Sequence, residues 1–404
     1  MDVNHLDVDQ IKARLAEQVD RRRDLLLDVS HQIHSHPETN YEERFAHDLL
    51  TRVLEDEGLP VVRRARGIET AFEARVGDDS TGGPTVAVLC EYDALPAIGH
   101  ACGHNVIAAA GLGAGLAAAA LADELGGRLL VLGSPAEEGG GGKIKLVEAG
   151  ALDGVDAALM VHPADADLAS MDAIAVQEIT ATYTGEAAHA AAFPERGRNA
   201  LDAAVIGYTA VAALRQHIAG GERIHGIITR GGDKPNIVPS LTETQWMVRS
   251  PTRDGLEVLK RRFLACLEGG ATATGCSLSV EWGPVIYADL VPNRAIGARY
   301  EANAAALGRT VREPSPAQRV VGSTDMGNVS YEVPSIHPMI QVAPAGVPIH
   351  TPAFAGYAVG PEGDRAVLDG AKALAWTVAD LWLDAGLVES AWAEQRAAVE
   401  ERQR

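Results

Sequence analysis

Apolar side chains recur along residues 8–34 at Ile11, Leu15, Val19, Leu26, Val29 and Ile33, roughly the spacing of one helical face. The run stops at Ser35-His36-Pro37, because proline disfavours helix in the residue before it. A second helix is predicted over residues 41–57, ended by Gly58. Three β-type apolar runs follow at 85–90, 128–132 and 157–161, with an alanine-rich helix predicted between the first two, at about 105–124. Strands alternating with helices predict an α/β sheet that is largely parallel and covered on both faces.

The pattern changes near Ile174. From there the chain reads strand, helix, strand, strand, helix, strand, at 174–184, 199–217, 225–229, 242–249, 253–268 and 277–282. That order predicts a small α+β, ferredoxin-like sandwich with its helices on one face of an antiparallel sheet. A helix at 295–307, a strand at 336–342 and a helix at 361–382 then read as a return to the first domain. The expected organisation is a discontinuous catalytic domain, 1–173 with 292–404, and an inserted domain, 174–291. The tail from Ser390 is expected to be helical and charged.

Composition narrows the function classes. The chain has 404 residues, 47% of them hydrophobic, which is enough for two cores. A formal net charge of −20 disfavours a nucleic-acid partner, whose phosphates demand a basic surface. No apolar run is long enough to span a bilayer, and the acidic start Met1-Asp2-Val3-Asn4 lacks the core of a signal peptide. A cytoplasmic protein without a membrane partner is therefore expected. Cys90, Cys102, Cys266 and Cys276 are too few and too scattered for a disulfide framework, which leaves a cysteine free to act as ligand or nucleophile.

In open α/β sheets the binding crevice lies beyond the carboxyl ends of the strands. The first strand leads through Glu91-Tyr92-Asp93 to His100-Ala101-Cys102-Gly103-His104-Asn105; the second ends at Glu137-Glu138 and the third at His162-Pro163. Thiolate, imidazole and carboxylate together suit zinc and are compatible with manganese. A lone Cys-x-His is more often structural; three such loops on successive strands favour a metal site. Adjacent side chains on an extended loop point different ways, so one glutamate of the pair can bind metal while the other addresses water. Spacing alone does not say which. The glycines at 139–142 fail the P-loop pattern, and Gly111-Leu112-Gly113-Ala114-Gly115 lacks the last glycine of a dinucleotide fingerprint, so close helix packing is expected there. His31, His34, His36, His47 and His337 are read as capping or packing residues, and Ser323-Thr324-Asp325 as a loop cap or a segment near substrate. His225, before a strand, is a candidate to line a cleft.

Six ordered stretches carry a family likeness: His34-Ser35-His36-Pro37-Glu38, Glu91 to Pro96, His100 to Asn105, Pro135 to Glu138, Gly185 to His189 and His350-Thr351-Pro352. They resemble the motifs of the amidohydrolase branch of the aminoacylase and carboxypeptidase metallopeptidases. The forms with Cys-Gly-His-Asn and a lysine after the glycines look most like the hydrolases of p-aminobenzoyl-glutamate and of β-alanyl dipeptides. The resemblance implies two divalent metal ions, zinc or manganese, on Cys102, His104, Glu138, His162 and His350. It also implies Glu137 as general base, Asp93 as an acid supporting the ligands, His189 as the group stabilising the oxyanion, and Asn236 and Arg249 as holders of the substrate carboxylate. The expected function is hydrolysis of the amide bond of N-acyl amino acids, aminobenzoyl-glutamate-like conjugates or small dipeptides, in a homodimer formed through the inserted lid domain. Where many relatives outside this branch place His-x-Asp, this chain has Glu91-Tyr92-Asp93, so Cys102 is expected to replace a ligand lost there. Rival readings are a thiol hydrolase using Cys102 with His100 or His104, and a noncatalytic binding module.

Overall fold

The computed structural model describes residues 7–78, 80, 82–314 and 321–403. It divides into two compact units, one made of the chain up to Asp172 with Leu290–Glu401, the other of Ala173–Asp289.

In the first unit the strand Thr85–Glu91 is buried along its whole length and pairs in parallel with Arg128–Ser134 on one side and Ala157–Leu159 on the other. They belong to a six-stranded sheet in the order Val61–Arg63, Phe72–Val76, Arg128–Ser134, Thr85–Glu91, Ala157–Leu159, Ser335–Ile336. The first two strands, antiparallel at one edge, were not singled out by the sequence pattern. They are too short to show a period, and Phe72–Val76 is defined by its register on the neighbouring strand.

The alanine-rich segment forms the helix His104–Ala119, buried almost throughout and packed against the strand Thr85–Glu91 and the helices Arg23–Ser35 and Pro361–Leu383. Its glycines permit that approach. A Cβ on Gly111 would lie 2.5 Å from the carbonyl oxygen of Leu89 and 2.9 Å from Cys90 Sγ, and one on Gly115 would lie 2.5 Å from Val131.

Two predicted elements are divided. The N-terminal helical run breaks at Arg22 into Val8–Arg21 and Arg23–Ser35, with no proline or glycine to mark it. Arg22 sits at φ −101°, ψ 11°, and its guanidinium bonds Gln18 and Glu57, a contact that only tertiary placement supplies. The third apolar run gives the strand Ala157–Leu159, then a separate ladder in which His162–Ala164 pairs in parallel with Met339–Gln341. Pro338, which has no N–H to give a ladder, lies at the matching break of the 336–342 segment, and its carbonyl accepts from His162 N at 2.9 Å.

The second unit is a four-stranded antiparallel sheet in the order Ser277–Trp282, Ala175–Thr184, Leu241–Ser250, Arg223–Arg230. Along Leu241–Ser250 burial alternates, with Trp246 and Val248 facing a core that contains Tyr183, Phe263 and Leu267. The helices Ala200–Leu214 and Arg253–Thr274 cover that face; Asn199 and Thr252 cap them through side-chain oxygens, and Gly275 at φ 67° ends the second. The fold is thus α/β with a mostly parallel sheet and an α+β sandwich built from an internal segment. Among the described residues no helix is long and apolar enough to cross a membrane.

On an open helix Gly→Ala adds about 1 kcal/mol of stability. At Gly111 the opposite sign is expected: Gly111→Ala should cost about 1–3 kcal/mol through overpacking against Leu89 and Cys90, read as a lower midpoint in denaturant melts.

Candidate metal centre

The carboxyl ends of the parallel strands deliver the candidate side chains to one place in the first unit. Cys102 and His104 flank Gly103, whose φ of 82° turns the loop into the helix that begins at His104. A Cβ on Gly103 would also lie 2.9 Å from Pro163, so the glycine lets the Cys102 loop lie against the His162 loop. Cys102 Sγ is 3.4 Å from His162 Nε2, and His162 Nδ1 is 2.8 Å from the carbonyl oxygen of Pro163.

His104 is fully buried. Its Nδ1 lies 3.2 Å from Asp93 Oδ1, while the other oxygen of Asp93 accepts from the backbone N–H of Glu138 at 3.0 Å. One carboxylate therefore aligns two of the candidate ligands. His104 Nε2 faces Glu91 Oε1 at 3.0 Å and Glu138 Oε1 at 3.8 Å, and none of these three buried atoms makes a hydrogen bond among the described residues.

His350 reaches the site from far along the chain. Its backbone N–H donates to the carbonyl oxygen of Ala101 at 2.8 Å, its φ is 62°, and its Nε2 lies 3.4 Å from Glu138 Oε1. Ala136, before the glutamate pair, also holds a left-handed φ of 58°. Such conformations cost about 1–3 kcal/mol for a residue with a Cβ and persist where the surroundings enforce them. Gly142 closes the same turn: a Cβ there would lie 1.7 Å from the carbonyl oxygen of Pro135.

Ligand atoms within 4.8 Å of one another form three groups among the described residues: Cys102, His104 and His162; Cys102, Glu138 and His350; and Glu91, His104 and Glu137. Sulfur, nitrogen and oxygen donors so placed, several of them buried without a hydrogen bond among the described residues, fit divalent metal ions. The electrostatics agree. Burial lowers the His104 pKa, but Glu91, Cys102 and Asp93 outweigh it and raise it well above the usual imidazole value, so this place favours positive charge. Burial, with Glu91, Glu138 and Asp325 close by, pushes the Glu137 carboxyl well above its usual range. Glu138 is held below its usual value because His350 and His104 outweigh its burial. Burial, assisted by the charge of His104, lowers His162 to about 4, leaving a neutral imidazole suited to ligation.

Sequence reasoning missed Glu91, Lys143 and the use of Asp325. Lys143 Nζ bonds Glu91 Oε2 and lies 2.7 Å from Asp325 Oδ1, all three groups being buried. The signal that was available is a lysine next to the glycine run. His337, read as packing, is buried with its ring 5.2 Å from that of His162. Of the remaining predicted residues, His225, Asn236, Arg249 and His189 all lie in the second unit. His225 pairs with Met247, and Arg249 follows two residues on, so both are on the helix-free face of the sheet. His189 and Asn236 sit in adjoining loops: Ala190 N donates to Asn236 O at 3.1 Å, and His189 bridges Ile237.

The model of peptidase family M20/M25/M40 matches residues 90–373. The mouse Xaa-Arg dipeptidase is 40% identical over 409 residues, covering 98% of this chain and 95% of that protein. A chain of the Escherichia coli p-aminobenzoyl-glutamate hydrolase is 30% identical over 94% of this chain and 93% of its own length. Among solved structures, a Bacillus subtilis dinuclear metal-binding peptidase of the M20 family has the same fold, with a TM-score of 0.69 at 20% identity, covering 89% of this chain and 98% of that one.

Asp93 serves two donors with two separate oxygens, which an amide cannot do. Asp93→Asn is expected to cost about 1–3 kcal/mol, measured as a lower stability of the metal-free protein in denaturant.

Proposed function

The chain belongs to peptidase family M20/M25/M40 and is a metallo-amidohydrolase, and from that premise we propose that it cleaves dipeptides whose carboxyl-terminal residue is cationic. The carrying observation is that Cys102, His104 and His162, and Cys102, Glu138 and His350, form two ligand groups sharing Cys102, with Glu137 close to His104, in a chain related over 98% of its length to a dipeptidase for Xaa-Arg substrates. The net charge of −20 supports a cationic substrate, whose approach an acidic protein favours.

Cys102, His104, Glu138, His162 and His350 would hold two divalent ions, zinc or manganese. When bound, such ions polarise an amide carbonyl and acidify water. Glu137 takes the proton of the attacking water and returns it to the departing amine as the C–N bond breaks. Burial and the neighbouring carboxylates raise its affinity for that proton. Asp93 keeps His104 in one tautomer and orientation. For the second unit His189 is kept at the oxyanion and Asn236 and Arg249 as groups for the substrate carboxylate; Asn236 adjoins His189 beyond the Leu241 end of the strand Leu241–Ser250, whereas Arg249, with His225 near it, lies toward the other end, so a single carboxylate would meet both only with a second copy of the chain supplying one of them. A guanidinium can grip a carboxylate with two parallel bonds. Homodimerisation through this unit remains part of the proposal. The edge strand Arg223–Arg230 carries exposed Ile227 and Ile228, and the mass in light scattering tests it.

A thiol nucleophile is disfavoured by the surroundings of Cys102. Burial pushes the thiol well above its usual pKa, so without a metal it is the poorly nucleophilic neutral form.

Activity should be lost on complete chelation and restored by zinc or manganese; activity that survives chelation but not alkylation would favour the thiol enzyme. Glu137→Gln should retain its metal and lose about 100-fold or more in kcat, and a variant that keeps most of its rate would overturn the role of Glu137. In a hydrolysis screen, Xaa-Arg and Xaa-Lys dipeptides should exceed p-aminobenzoyl-glutamate, hippurate and long-chain acyl amino acids by about tenfold or more in kcat/KM. Preference for the aminobenzoyl conjugate would reassign the substrate.

A further inference from the structure

The ion pair behind the metal centre has an uneven geometry. Lys143 is buried to 1% exposure, and its position is set twice by Asp325: the backbone N–H donates to Oδ2 at 2.9 Å and Nζ to Oδ1 at 2.7 Å. Nζ also bonds Glu91 Oε2. A buried ammonium is costly unless carboxylates surround it, so this lysine is fixed in place and Glu91 is fixed with it. The two oxygens of Glu91 therefore differ. Oε2 is taken, while Oε1 is turned toward His104 Nε2 at 3.0 Å, fully buried and without a hydrogen bond among the described residues. Burying a charged oxygen without a hydrogen bond is costly, and His104 Nε2, which faces it, makes none among the described residues either. The atoms of Glu91, His104 and Glu137 also approach within 4.8 Å of one another.

We propose that Glu91 is an additional metal ligand through Oε1, and that Lys143, anchored by Asp325, is the positioning residue that aims it. This rests on the metal-enzyme reading above, and it revises the expectation that position 91 had given up its ligand. The anchor explains why the carboxylate holds this orientation: with Oε2 bound to Lys143, rotation about the terminal bond would break a fully buried ion pair. It also gives the lysine after the glycine run a reason to be buried between two carboxylates.

The test is metal stoichiometry and affinity of the full chain, by competition between zinc or cobalt(II) and a chromophoric chelator, with melting curves to establish folding. A wild-type chain that binds no divalent ion overturns the metal reading itself. With that reading intact, Glu91→Gln should weaken one of two ions by about tenfold or more and leave the other unchanged. Glu91→Asp, which keeps the charge but withdraws the oxygen, should weaken the same ion; a Glu91→Asp chain with wild-type affinity would mean that only charge matters and overturns ligation. Lys143→Met removes a positive charge beside the ions, so a purely electrostatic role predicts tighter binding, whereas loss of aim predicts weaker binding of that same ion and an altered cobalt absorption spectrum. The double variant Glu91→Gln with Lys143→Met should be no weaker than Glu91→Gln alone, because the lysine acts through Glu91. Tighter binding in Lys143→Met, or additive losses in the double variant, overturns the positioning role. Should Glu91→Gln fail to fold, the Glu91→Asp and Lys143→Met arms still decide the question.

Discussion

Removing carboxylates from water is the constraint around which the first unit is arranged. Glu91, Asp93, Glu137 and Asp325 are all buried at the ends of an apolar parallel sheet, and Glu138 is nearly so. Charges there are tolerated only when each has a partner. Asp325 and one oxygen of Glu91 are paired by Lys143, and both oxygens of Asp93 by His104 and a backbone N–H. The buried atoms that make no hydrogen bond among the described residues, Glu91 Oε1 and Glu138 Oε1 with His104 Nε2, face one another within 3.0–3.8 Å of that nitrogen. A cation there is what the charge distribution favours, and the sheet, helix and loops form the scaffold that makes it so.

The same constraint separates the roles of neighbouring residues. Glu137 and Glu138 are consecutive, yet burial beside other carboxylates raises the first while His350 and His104 lower the second. Two groups of one chemical type thereby differ in proton affinity, higher for Glu137 than for Glu138. The distinction depends on His350, whose backbone is tied to the Cys102 loop through Ala101. The left-handed backbone at Ala136 and His350 belongs with this arrangement, since both positions border the site and both resist ordinary backbone preference.

Much of the fold was legible because its elements carry their own periodicity. The strands beginning at Thr85 and Arg128 and the helix beginning at His104 follow from apolar runs of the right length, and the switch to alternating burial after residue 174 marks the sandwich segment. The short strands Val61–Arg63 and Phe72–Val76, and the break at Arg22, were not legible: a strand of a few residues has no period, and Arg22 is held by Glu57, a partner remote in sequence. In the site, strand ends pointed to Cys102, His104, Glu137, Glu138 and His162, whereas His350 entered only through a motif.

By itself the sequence determined which chemistry is available and where along the chain it is concentrated, because residue type and hydrophobic spacing are local properties. It also placed Lys143 beside the glycine run and Asp325 in a loop, without reason to connect them. Only the tertiary structure joined Lys143 to Glu91 and Asp325, turned one oxygen of Glu91 toward His104, and brought His350 to Glu138. Those pairings depend on burial and on contacts between segments far apart in the chain. Neither is encoded in the spacing of any one segment, so they exist only once the chain has folded.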